Sequence, residues 1–114
     1  MPLTNAGAVL VATLVQSDGP YYVAAGNSST AFSASQTDLV GTSARVVASS
    51  ARASNVVTYT ATFGTSVANF QWNEVGVANA PAGGTLLTRR VVTLPTKTSS
   101  DTWIVNLEVV FAAA

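Results

Sequence analysis

The stretch Thr102–Trp103–Ile104–Val105–Asn106–Leu107–Glu108–Val109–Val110–Phe111 decides how this chain folds. Trp103, Val105, Leu107, Val109 and Phe111 are apolar and recur at every second position, while Ile104, Asn106, Glu108 and Val110 between them are mixed. Side chains of a strand alternate between its faces, so the pattern predicts a strand with one apolar face and one face tolerant of water. The same reading applies to Val57, Tyr59, Ala61 and Phe63, which are separated by Thr58, Thr60 and Thr62. Both segments present sheet surface and carry almost none of the residue types that do chemistry. Function is therefore to be sought in contacts.

Away from these two segments, turn signals cut the chain into short pieces. Residues 21–25, 45–48, 70–77 and 86–94 read as further strands, and Gly76 marks a bulge or a close approach of backbone. The pieces at 26–30, 49–55, 64–66 and 97–101 are small and polar and read as loops, and Pro81 with Gly83–Gly84 is a turn. Ser33 and Gln36 stand at capping-box spacing, which predicts a helical turn running toward Leu39. At the start, Thr4 and Asn5 are helix N-caps. Ala6, Val9, Leu10, Thr13 and Leu14 fall on one helical face, and Ala8, Val11, Ala12 and Val15 on the other. A helix apolar all round is buried on several sides, so Leu10→Asp or Leu14→Asp is expected to abolish folding. The Val and Thr residues leave a strand open for part of this run. The expected architecture is mainly β: one antiparallel sandwich or barrel of about six strands with an N-terminal helix. Residues 112–114 form the one tail-like stretch.

Composition narrows the function classes. The 114 residues fit a single domain, 1–114. Charged residues are 9% of the chain, five basic and five acidic, for a net charge of zero, against a usual charged share of roughly 25%. A surface made of Ser, Thr, Asn, Gln and Ala suits contact with other protein better than free life in solution. Nucleic-acid binding is not expected, because Arg89 and Arg90 form the only basic cluster and point to opposite faces of a strand. The chain has neither Cys nor His, which closes zinc sites, thiolate chemistry and His-based triads. No cofactor, metal or catalytic residue is expected. The apolar run at 3–15 has no basic residue before it, since the first is Arg45. At about 13 residues it is also short of the roughly 20 that cross a bilayer. It is read as a buried helix, with no membrane partner.

The candidate site residues have structural readings beside functional ones. Glu74 lies mid-strand with Phe70 and Trp72 on its face, so a buried carboxylate in need of a cation is expected there. Arg45 and Arg89 are the candidate partners for an internal ion pair that holds two strands in register. The acids are scattered, with no spacing that favours a catalytic pair. Trp72, Tyr21 and Tyr22 are the aromatics a sugar-binding platform would use, although in a small β domain such rings more often fill the core.

Five strings, taken in order, carry a resemblance: Leu3–Thr4–Asn5–Ala6–Gly7, then Val23–Ala24–Ala25–Gly26–Asn27–Ser28–Ser29–Thr30, Ser35–Gln36–Thr37–Asp38–Leu39 ahead of Arg45, Trp72–Asn73–Glu74–Val75–Gly76–Val77, and Gly83–Gly84–Thr85–Leu86–Leu87–Thr88–Arg89. In that order the chain resembles small structural proteins of tailed bacteriophages, of the capsid-decoration and tail-fibre types. It departs from them at Ala24–Ala25–Gly26, which lacks one glycine. Thr42–Ser43–Ala44 stands where a Glu precedes Arg45, and Val77–Ala78 lacks an aromatic. The resemblance implies a non-enzymatic virion protein, assembled in the cytoplasm of a bacterial host. With the small size of the domain, it points first to a decoration (cement) protein that bridges major capsid subunits on the outer head, as a homo-oligomer and with a trimer favoured. The alternative is a tail-fibre, baseplate or collar accessory piece that contacts host surface glycans.

Overall fold

In the computed structural model, which describes residues 1–113, the chain runs α1 (Asn5–Ser17), β1 (Tyr22–Gly26), β2 (Ser43–Val47), β3 (Ser49–Ala53), β4 (Val56–Phe63), β5 (Glu74–Ala78), β6 (Leu86–Val91) and β7 (Trp103–Val110). Ala114, the end of the tail-like stretch, lies outside the described residues. The two alternating segments pair with each other: β4 and β7 run antiparallel from Val56 opposite Val110 to Phe63 opposite Trp103. This register sets Tyr59 across from Leu107 and Ala61 across from Val105, so both apolar faces point the same way. On the other face the Thr60 hydroxyl donates to Asn106 Oδ1 at 2.6 Å.

A four-stranded sheet, β2-β1-β5-β6, faces a three-stranded one, β3-β4-β7. All pairings are antiparallel, and the two sheets stay separate, which makes the domain a sandwich rather than a barrel. Val23, Ala25, Val75 and Val77 of the larger sheet meet Val57, Tyr59, Ala61 and Phe63 of the smaller one. Trp72 sits between them, edge-on to Phe63 at 4.8 Å and to Trp103 at 4.9 Å between ring centroids, with its indole N–H donating to the Ala68 carbonyl. Each such aromatic pair contributes about 0.5–1.5 kcal/mol beyond the area it buries. Gly76 is a close approach, since a Cβ there would stand 2.5 Å from the Thr88 carbonyl oxygen, and the ladder shifts register beside it, between Val77 and Ala78. Gly83 and Gly84 both have positive φ, which lets the chain reverse between β5 and β6.

The structure corrects the sequence reading in four places. Residues 49–55 contain a strand, β3, which brings the count to seven. All five of its side chains are exposed and most are small or polar, so it has no alternation to read and is held by backbone pairing to β4. No helix follows Ser33: Gln36 Oε1 does accept from the Ser33 amide, but the segment continues as turns. The strand expected at 70–77 begins at Glu74, and the alternation slips before it, because Trp72 and Val75 both enter the core. Glu74 therefore does not share the face of Trp72.

The fourth correction concerns α1. Thr4 caps it, its hydroxyl accepting from the Gly7 amide at 3.0 Å. The buried residues are Ala8 and Ala12, whereas Leu10 and Leu14 are each 58% exposed. The helix lies against β3 and β4 on a narrow seam of small side chains. Periodicity could not tell which of two apolar faces turned inward, and the two leucines turn outward.

Candidate interaction surface

The polar hub is Glu74. It opens β5 on the outer face of the larger sheet, where the loop 27–42 crosses over it. Its carboxylate is fully buried and accepts from Arg89 Nε at 2.9 Å. It also accepts from the amides of Val40 at 2.8 Å, Gly41 at 2.8 Å and Ser28 at 3.0 Å. Burial pushes this carboxyl up, but the Arg89 guanidinium and the three amides outweigh burial and hold it below the usual range. Arg89, 4% exposed, also donates to Gln36 Oε1 and to the carbonyls of Thr30 and Ser28. A Cβ on Gly26 would come within 2.6 Å of Glu74 Oε2, so the strand beside the carboxylate must be bare. Every acceptor and donor here faces the protein itself. The cluster fastens a loop to a sheet.

Of the two cations expected near Glu74, the structure brings in Arg89 and not Arg45. Arg45 lies on β2 and reaches Asp38 at 3.2 Å and the carbonyls of Ala80 and Gly83. Arg89 and Arg90 do part, Arg89 buried and Arg90 exposed. The sugar platform is overturned for Trp72, which is 0% exposed in the core. Tyr21 is buried as well, stacked on Tyr59 at 5.7 Å, with its hydroxyl donating to Asp18 Oδ2 at 2.8 Å. Burial, then this hydrogen bond and the charge of Asp18, push the Tyr21 phenol up to about 12. Tyr22 remains half-buried and lines, with Tyr21 and Pro81, a shallow depression that Trp72 does not reach. Among the described residues no three acids gather, and no helix is long and apolar enough to cross a membrane.

The open surface lies elsewhere. β6 and β7 end their sheets and each pairs on one side only, so their outer backbone groups are unpaired. Between them runs a groove made of two adjoining cavities of about 460 and 450 Å³, which share Val75, Asn106 and Leu107. Trp72, Val75, Val92 and Leu94 line one half, together with Val105 and Leu107. Thr88, Arg90 and Glu108 make the other half more polar. The groove exists because four strands face three. The place of a fourth strand beside β7 is empty, and the inner side chains of β7 stay only half-buried. Such a slot can take an extended segment, whose backbone would pair with the β7 edge while alternate side chains enter the apolar floor.

Sequence reasoning found the apolar face of β7 but not the groove, whose other wall is Val75 and Val92. It also missed Lys97, 1% exposed, which donates to the Gly64 carbonyl at 2.6 Å and to Asn69 Oδ1 at 2.8 Å and so closes the 64–69 turn. A single Lys in a polar loop carries no signal that it folds inward. Compared with protein-family models, curated proteins and solved structures, the chain matches none.

Proposed function

We propose that this chain is a non-enzymatic structural protein of a tailed-bacteriophage virion. In this reading it is first a decoration protein that bridges major capsid subunits on the outer head, as a homo-oligomer. The observation that carries the reading is the unfinished edge between β6 and β7: an apolar groove flanked by unpaired strand backbone. A protein that worked alone in water would be expected to cover or charge such an edge. The low charge and the ordered motifs from Leu3 to Arg89 point the same way. The buried polar groups support it by what they do, since Glu74, Arg89 and Lys97 are all consumed in holding loops. A tail-fibre, baseplate or collar piece of the same particle is the second reading, favoured by the tail-type motifs.

Copy number in purified particles tests both. The chain is quantified by mass spectrometry against the major capsid protein of the virus that encodes it. A copy number comparable to that of the capsid protein supports decoration, and a few copies per particle support the tail. Absence of the chain from particles would overturn the proposal.

A further inference from the structure

Arg90 is the charged side chain on the inner wall of the groove between β6 and β7. It stands across from Val75 in the ladder of the larger sheet, and Val75 lies in the core, so both side chains are on the inner face. Arg90 is nevertheless exposed, because no strand of the smaller sheet covers it. The ion pairs among the described residues are Arg45–Asp38 and Arg89–Glu74, which leaves Arg90 without a carboxylate. Val92 and Leu94 follow on the same wall at every second residue, a spacing of about 6.6 Å. Their amides go on pairing with the Asn73 and Trp72 carbonyls, which keeps the chain extended. The wall thus reads as a cation followed by two apolar positions.

The backbone opposite this wall has a defined polarity. The Phe111 amide donates to the Asn55 carbonyl, one step beyond the ladder pair of Val56 and Val110. Odd-numbered residues of β7 therefore turn their amides and carbonyls toward β4, and Ile104, Asn106, Glu108 and Val110 turn theirs to the empty place. β6 and β7 run in opposite directions, since Val92 and Leu94 share one cavity with Trp103, and Thr88 and Arg90 share the other with Val110.

We infer that this edge takes an extended segment of another protein chain that carries a carboxylate and then two apolar side chains at alternate positions. Charge selects this occupant. A strand laid beside β7 covers Arg90, and a buried guanidinium needs an anion within hydrogen-bond reach. Antiparallel pairing, the more stable ladder, runs the incoming strand from Val110 toward Trp103. Its acidic residue then comes first, beside Arg90, and the apolar residues two and four positions later lie over Val92 and Leu94. Glu108 is on the other face of β7, so the residues alternating with these three are neutral or basic. The inference deepens the assembly reading above by naming what the partner brings to the same edge.

Peptide binding to the full-length protein tests it. The probe is an end-capped, fluorescein-labelled heptapeptide with Glu, Val and Leu at alternate positions and Thr elsewhere. Fluorescence anisotropy should show saturable binding, at least about tenfold tighter than for the same peptide with Lys in place of Glu, or with the order of the three reversed. Arg90→Glu should invert the preference between the Glu and Lys peptides, and Arg90→Gln should erase it. Both variants should keep the wild-type circular dichroism spectrum, because this side chain is in water and unpaired. Amide hydrogen exchange at Ile104, Asn106, Glu108 and Val110 should slow when the Glu peptide is bound. The inference is overturned if the wild type binds no peptide, if the Glu, Lys and reversed peptides bind alike, or if both Arg90 variants keep the wild-type preference. It is equally overturned if a second copy fills the groove, seen in sedimentation as a dimer that the peptide does not dissociate. A chain abundant in particles that ignores the peptides would sink this recognition rule and leave the virion reading standing. A chain that obeys the rule but is missing from particles would do the reverse.

Discussion

Glu74 shows how a single side chain holds a segment that has no regular structure. Its carboxylate gathers one guanidinium and three amides, and these are much of what ties the loop 27–42 to the larger sheet. Glu74→Gln keeps the shape but leaves Arg89 charged and buried. Breaking a buried pair in this way costs about 3–5 kcal/mol, to be read from denaturant unfolding at neutral pH. The pH dependence has a defined sign. The carboxyl is held below its ordinary value of 4.5 in the folded protein, so its contribution is fully present above that value. It is lost as pH falls through the lower, folded-state value. The stability gap between wild type and Glu74→Gln should therefore close on acidification, and a gap that persisted unchanged in acid would contradict this account. Tyr59 makes the opposite case. It is 2% exposed, and its hydroxyl is the one buried side-chain polar atom with no partner among the described residues. An unmet buried hydroxyl costs about 1–3 kcal/mol. Tyr59→Phe, which keeps the stack on Tyr21, should then melt at or above the wild-type temperature.

At the scale of elements, what could be read from the sequence follows from which physical signal each element carries. β4 buries one face and β7 half-buries one, while both wet the other, so their alternation gave the extent of β4, that of β7 to within one residue at each end, and the face of every residue. β3 wets both faces and is specified by pairing alone, which a local pattern cannot contain. The Glu74 cluster was legible in part. A carboxylate inside a strand demands a cation, but Arg45 and Arg89 are equal candidates until the fold brings β6 beside β5. The contribution of the Val40, Gly41 and Ser28 amides had no signal in side-chain identity. α1 was legible as a helix and not as to its orientation, because apolar residues fall on both faces. Its orientation makes a prediction contrary to the periodicity. Leu10→Asp should fold with a melting temperature close to wild type, since its side chain is in water. Ala12→Leu should lose about 1–3 kcal/mol by overpacking the seam against the sandwich. Thermal melts followed by circular dichroism separate the two, and an unfolded Leu10→Asp with a stable Ala12→Leu would invert the helix.

For the whole molecule, the decisive property is a count that no window of sequence holds: four strands against three. The mismatch leaves β7 with its outer backbone free and its inner face half-covered, and it leaves the wall formed by Val75 and Val92 without a strand opposite. One added strand would complete the smaller sheet, and completion from another subunit turns an unfinished core into a specific joint. Leu107 is the residue on which this turns, because it lines both halves of the groove and stands across from Tyr59 in the ladder. Leu107→Lys should fold, since the side chain is only half-buried and a lysine can run its stem along the groove with the ammonium in water. The ammonium would then occupy the place of the incoming segment. On the proposed virion role, the expected outcome is a folded variant that is excluded from particles when co-expressed with the proteins of the particle, while Thr62→Lys on the exposed outer face of β4 is incorporated at the wild-type level. Equal incorporation of Leu107→Lys would mean that the groove is not the joint.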